Sequence, residues 1–156
     1  ELHAAGLAGV PRIFATNRLV AIVRRGYSGE LSSLADPGVK LVIAAEGVPV
    51  GDYAREALAA LGMEDALDNV VSEEGDVKGV VSKVALAEAD AGFVYATDVR
   101  PVADKVRVLE VPDSVQPRIE YAVTVVRKSR AADEFVQRLL GPEGQAALRG
   151  AGFGPP

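Results

Sequence analysis

The sequence has no cysteine, and its single histidine is His3. The absence of cysteine excludes a disulfide framework and thiol chemistry. With one histidine and no Gly-x-Ser-x-Gly sequence, nucleophilic catalysis is poorly supported. No apolar run approaches the ~20 residues of a membrane-spanning helix. The sequence therefore predicts a protein that is not an enzyme.

The composition indicates a globular protein with a substantial core. The chain has 156 residues, of which 49% are hydrophobic and 25% charged, which fits one domain, or one lobe with part of another. The formal net charge of -5 argues against nucleic-acid binding, which usually requires a basic surface. An acidic protein can still carry a local anion site.

Strand and helix patterns alternate along the chain, which predicts an α/β fold with a sheet that is at least partly parallel. We expect strands at 19–23, 39–45, 69–72, 91–95, 106–111 and 119–126, and helices that begin near 49, 77, 131 and 142. The segments 24–29 and 97–104 are predicted to be a solvated charged loop and a turn-rich connection. Glu88 and Asp90 are expected to be surface charges.

Two strand–loop–helix junctions are candidate anion sites. In the first, 46–54, a Gly/Pro loop leads into a helix; in the second, 74–80, Asp76 is a plausible N-cap. A helix start presents unpaired N–H groups and a partial positive charge, so Val50 and Val77 could bind an anion through their backbones. Most such junctions bind nothing. Tyr95 ends a strand and could donate its hydroxyl, or it could be a half-buried aromatic whose hydroxyl faces water.

Two other motifs carry weaker signals. The segment 75–79 superficially suggests a phosphate loop, but it lacks the Gly-Lys-Ser/Thr ending of that motif. Glu73 and Glu74 could form an acid pair or a metal site. Adjacent side chains of a strand point to opposite faces, so a solvated sheet edge is the simpler interpretation.

The order of several motifs resembles one protein family. Val48-Pro49-Val50-Gly51-Asp52-Tyr53-Ala54, then Asp76-Val77-Lys78-Gly79, Gly92-Phe93-Val94-Tyr95, Ile119-Glu120-Tyr121-Ala122-Val123 and the ending from Phe135 to Phe153 resemble the periplasmic molybdate-binding proteins of bacterial ABC transporters. The resemblance covers nearly the whole chain from about Ile13. The family usually has Tyr-Pro where this sequence has Tyr121-Ala122.

The resemblance implies a two-lobed periplasmic binding protein of type II that closes around molybdate or tungstate. By position, the anion contacts would be the N–H groups of Val50 and Val77 and the hydroxyl of Tyr95, with no direct cation ligands and no cofactor. Residues 18–115 would form one complete lobe with a mixed sheet flanked by helices. Residues 1–17 would be an incoming crossover, and 116–156 a return crossover with the C-terminal helices of the other lobe.

By the same resemblance, further anion donors lie on loops that would precede residue 1, so we expect an N-terminally truncated chain that binds weakly by itself. The C-terminal helices would have uncovered apolar faces through which the chain could associate.

The resemblance also implies the biological setting. We expect the solute-binding component of an ABC importer, whose partner is a membrane permease. It would be periplasmic or extracytoplasmic, either free or anchored as a lipoprotein, with the signal peptide outside this chain. The alternative is an oxyanion-sensing effector domain of a transcription regulator.

Overall fold

The computed structural model describes residues 8–156, so His3 lies outside the described residues. The described chain divides into two compact units: residues 8–17 with 118–156 form unit 1, and Arg18–Pro117 form unit 2. Within the described range, no helix combines the length and apolarity needed to cross a membrane.

Unit 2 is built on a mixed five-stranded sheet in the order β4-β3-β5-β2-β6. The strands are β2 (Leu19–Arg24), β3 (Leu41–Ala44), β4 (Val70–Glu74), β5 (Ala91–Tyr95) and β6 (Val106–Glu110). Strand β3 runs parallel to β4 and β5, whereas β2 runs antiparallel to β5 and β6. The predicted α/β class with a mixed sheet is therefore confirmed.

In unit 2, local sequence features set the ends of the two longer helices. Helix α1 (Pro49–Ala60) has proline as its first residue and is followed by Gly62 at φ 66°, the left-handed position that glycine tolerates best. Helix α2 (Val77–Ala85) begins after Asp76, whose side chain accepts from the Gly79 N–H. Helix α3 (Ala96–Val99) is a single short turn. Shorter 3-10 turns occur at Ser32–Ala35, Glu64–Asn69, Arg100–Val102 and Asp113–Val115.

The core of unit 2 lies between the sheet and its helices. Its largest fully buried side chains are Phe93, Leu19, Ile22, Leu34, Leu41, Ile43, Leu58, Val20, Val23, Val42, Val50 and Val80. A Cβ at Gly92 would lie 2.6 Å from Val80 Cγ1 and 2.8 Å from the Val42 carbonyl oxygen. Glycine thus lets α2 pack directly on β5.

Unit 1 contains a two-stranded antiparallel ribbon and two helices. The elements are β1 (Arg12–Asn17), β7 (Ile119–Val123), α4 (Arg130–Leu140) and α5 (Pro142–Gly150). The ring of Tyr121 lies between those of Phe14 and Phe153, at centroid distances of 6.2 and 5.4 Å. Among the described residues, Val10, Val126 and Phe135 of this unit are large apolar side chains that remain exposed.

Two predicted elements differ in the structure by more than two residues at one end or in type. Strand β7 stops at Val123 instead of 126, because Val123 pairs with Arg12, the first residue of β1. Beyond that pair, Gly9 still donates to the Val125 carbonyl and accepts from Thr124 Oγ1, but these contacts do not extend the strand. The connection 97–104 is mostly helical, with α3 followed by the turn at Arg100–Val102. Its start is set by Asp98, whose carboxylate accepts from the Tyr95 N–H at 3.1 Å.

The predicted loop 24–29 is found at residues 25–29, but the predictions for Arg24 and for Asp90 need correction. Arg24 is the last residue of β2, and its Nε donates to Asp90 Oδ1 at 2.6 Å. Asp90 also accepts from the Lys40 N–H at 2.9 Å, and its side chain is 17% exposed. Asp90 therefore joins the ends of three strands and is not a free surface charge.

Candidate anion-binding site

Three adjacent parallel strands end at the same edge of the unit 2 sheet. Val50 follows β3 in the first turn of α1, Val77 follows β4 as the first residue of α2, and Tyr95 is the last residue of β5. In open α/β sheets, ligands bind outside the carboxyl ends of the strands. The structure therefore places all three predicted residues at the edge where a ligand is expected, and their role in binding stays a prediction.

Strands β3 and β5 stop pairing with each other before this edge. Pairing between β3 and β5 covers only Leu41 with Ala91 and Val42 with Gly92. Beyond these two pairs, the last residues of β3 and β5 are not paired with each other. Where neighbouring strands are not paired at their carboxyl ends, groups from the loops that follow can lie between them.

The first turn of α1 leaves one N–H available. Pro49 has no N–H, and the N–H groups of Gly51 and Asp52 both donate to the Val48 carbonyl, at 2.8 and 3.1 Å. The N–H of Val50, the second helical residue, has no acceptor within the helix. Asp52 Oδ1 accepts from the Gly47 N–H at 2.9 Å and closes the loop in front of the helix. Val50 is therefore the helix-start donor that this geometry singles out.

The first turn of α2 is arranged differently but leaves a similar donor. Asp76 Oδ1 accepts from the N–H of Gly79, the third helical residue, at 2.9 Å. The N–H groups of Val77 and Lys78 precede it and have no acceptor within the helix. Together with the helix dipole they form a region that attracts negative charge.

Tyr95 is held at the end of β5 by its backbone. Tyr95 is half-buried, and its backbone N–H donates to Asp98 Oδ2. Burial raises the pKa of the Asp98 carboxyl, and the Tyr95 N–H and the charge of Lys78 oppose that rise. The position of Tyr95 is thus fixed through a carboxylate that is easier to protonate than usual.

The two glutamates at the end of β4 have separate partners. Glu74 Oε1 accepts from Ser72 Oγ at 2.6 Å and lies 3.1 Å from Lys83 Nζ. The Ser72 hydrogen bond, followed by that of Lys83, lowers the pKa of Glu74. Glu73 pairs with Arg55 instead. Within residues 8–156, no group of three or more His, Cys, Asp or Glu side chains could hold a metal ion.

Sequence reasoning missed Arg55. Its Nη1 donates to the carbonyls of Ala44 at 3.0 Å and Gly51 at 3.1 Å, and its Nη2 donates to Glu73. The only sequence signal is an arginine one helical turn after Gly51, among the apolar residues of α1. That signal is too common to be recognised without the structure.

Comparisons with known proteins agree with this architecture. The model of the family described as "Bacterial extracellular solute-binding protein" matches residues 1–154. The molybdate-binding protein ModA of Mycobacterium tuberculosis is 35% identical over 156 residues, which cover 96% of this chain and 59% of that protein.

Solved structures of the same kind superpose well. A substrate-binding domain ascribed to a molybdenum ABC transporter of Clostridium difficile has a TM-score of 0.85 and 30% identity, covering 99% of this chain and 71% of that one. The periplasmic molybdate-binding protein of Azotobacter vinelandii has a TM-score of 0.81 over 99% of this chain and 73% of its own. Its 24% identity makes it evidence for the fold alone.

The chain spans 59% of the length of the mycobacterial relative. Solute binding, and not catalysis, is what the matched family description names. The alternative of a sensing domain in a transcription regulator is not favoured, because these relatives are named for molybdate binding and for an ABC transporter. By the match over nearly its whole length, the chain belongs to the family of bacterial extracellular solute-binding proteins.

Proposed function

We propose that this chain binds molybdate or tungstate, as part of the solute-binding component of an ABC importer. The observation that carries the proposal is the common position of Val50, Val77 and Tyr95 at the carboxyl edge of one sheet. It is supported by relatives that are named for molybdate binding. The partners would be the oxyanion itself and a membrane permease, and the location periplasmic or membrane-anchored.

The proposed donors suit a dianion with no proton of its own. Backbone N–H groups and a tyrosine hydroxyl can stabilise an oxyanion without a countercharge, because helix starts supply partial positive charge. The nearby carboxylates of Asp76 and Glu74 already accept from Gly79, Ser72 and Lys83. A ligand that must donate its own proton, such as monohydrogen phosphate, would find few acceptors here.

The decisive variant is V77P, which deletes one proposed donor and preserves the helix. Proline is favoured as the first helical residue, and the preceding Asp76 has the extended backbone, φ -157° and ψ 171°, that a following proline requires. We expect molybdate affinity to fall roughly ten- to hundred-fold, the value of one hydrogen bond to a charged group. Isothermal titration, or amide chemical shifts where binding is weak, would measure it.

The matched control is V77A, which shortens the side chain but keeps the N–H. It should bind molybdate nearly as well as the original chain, and both variants should unfold near the original temperature. Tungstate and sulfate are titrated alongside. Equal affinities of V77P and V77A, or sulfate binding as tight as that of molybdate, would refute the proposal.

A further inference from the structure

At the anion-binding edge of the sheet, the Arg55 side chain contacts two strands and the first turn of its own helix. Its guanidinium reaches the carbonyl of Ala44, the last residue of β3, and the carbonyl of Gly51 in the first turn of α1. The same group pairs with Glu73 near the end of β4. The Arg55 side chain is 25% exposed, so solvent screens these contacts only in part. One planar cation therefore joins three elements.

The carbonyl contact with Ala44 lies where β3 is still paired with β4 but no longer with β5. The β3–β5 pairing ends at Val42, two residues before Ala44. Arginine has several donors in a fixed fork and can satisfy more than one carbonyl at once. Arg55 thus ties the end of β3 to the helix that follows, across the loop 45–48.

Helix α1 and strand β3 pack against each other at Gly51 and Ala44, the two residues whose carbonyls accept from Arg55. A Cβ at Gly51 would lie 2.2 Å from the Ala44 oxygen, so helix and strand meet at backbone distance. The Val50 N–H lies in the same turn, and β4 leads directly to α2 and Val77. The separation of the two proposed N–H donors therefore depends on the elements that Arg55 joins.

We propose that Arg55 is a positioning residue, which holds the loop 45–51 and the Val50 N–H in the geometry that receives the anion. This inference rests on the proposed function for its ligand, and on the geometry of the loop for its mechanism. The competing explanation is that Arg55 attracts the anion through its charge alone. Its pairing with Glu73 already neutralises much of that charge.

Two substitutions separate position from charge. R55K keeps the positive charge but loses the fork that spans two carbonyls and a carboxylate, whereas R55Q loses both. Positioning predicts that both variants bind molybdate about ten-fold more weakly than the original chain, with R55K no better than R55Q by more than about two-fold. K40Q, the same charge change at the opposite end of β3, serves as the control and should leave affinity unchanged.

Amide hydrogen exchange without ligand gives a second, independent readout. The N–H groups of Gly51 and Asp52, which donate to Val48, should exchange several-fold faster in R55K and R55Q. Amides of Ala21 and Phe93 in the central strands should keep their rates, which separates local release from global unfolding.

The proposal is overturned if R55K binds like the original chain, or if the loop amides of the variants exchange no faster than those of the original chain. Uniform acceleration of all amides would also overturn it, since Arg55 would then act only on stability. Failure of the unmodified chain to bind molybdate would refute the proposed function alone. The exchange rates of Gly51 and Asp52 would still decide the positioning role.

Discussion

Asp90 shows how one side chain can organise the edge of the sheet that faces away from the anion site. It pairs with Arg24 at the end of β2 and accepts from the Lys40 N–H just before β3, while β5 begins at the next residue. Burial alone would raise the pKa of Asp90, but the Lys40 hydrogen bond and then Arg24 outweigh it, so the pKa lies below its usual value. The folded chain therefore favours the ionised form.

At the residue scale, we expect D90N to reduce the dependence of stability on pH. Because the folded pKa of Asp90 is lowered from 3.8, the unfolded chain binds a proton more readily. The stabilisation that ionised Asp90 gives to the fold is complete above the ordinary pKa of 3.8 and is lost as the pH falls through the folded pKa. D90N should cost about 1 kcal/mol at neutral pH and flatten the acid side of the profile, as measured by urea unfolding at several pH values.

D113N is the matched control for this experiment. Asp113 also pairs with an arginine, Arg18, but the two side chains are 85% and 50% exposed, and such pairs contribute little. The D113N profile should follow that of the original chain. A D90N profile with the original acid slope would show that Asp90 titrates alike in both states.

The contrast between Asp76 and Asp90 explains what could be predicted from the sequence. The N-cap role of Asp76 was predictable because its Oδ1 accepts from the N–H of Gly79, which lies only three residues further along the chain. Arg24 lies 66 residues from Asp90, and Glu73 lies 18 residues from Arg55, so these pairs come together only through the sheet order. Helix starts, and so the candidate donors, are local features; the side chains that support them are not.

At the element scale, the closeness of α1 to β3 is the feature on which the loop depends. Gly51 meets the Ala44 carbonyl so closely that no side chain fits. The apolar pattern and the turn residues were enough to predict that an element exists, as with the strand predicted at 119–126. Element length did not, because the end of β7 is set by its partner β1.

We expect G51A to destabilise the protein by about 1–3 kcal/mol, because helix and strand must separate to accept the methyl group. The free energy of unfolding in urea is the appropriate measurement. G75A is the control: a Cβ at Gly75 has no atom within 4 Å, so its effect should stay within about 0.5 kcal/mol. Similar unfolding midpoints for the two variants would contradict the tight contact.

At the scale of the whole molecule, the buried apolar residues are distributed unequally. Every one of the largest fully buried side chains belongs to unit 2. In the described part of unit 1, the buried residues are Ala15, Asn17, Ile119 and Val136. Since apolar burial is the main source of stability, unit 2 should form the more stable part of the chain.

Native-state hydrogen exchange tests this difference between two strands that each pair on one side only. Strand β6 pairs with β2 in unit 2, and β7 pairs with β1 in unit 1. Leu109 and Ile119 are similarly buried, at 7% and 6% exposure, so side-chain burial is matched. We expect the amides of β7 to open at a lower free energy and to exchange at least roughly ten-fold faster than those of β6, because the core behind β7 is smaller. Equal protection of the two strands would mean that unit 1 unfolds only together with unit 2.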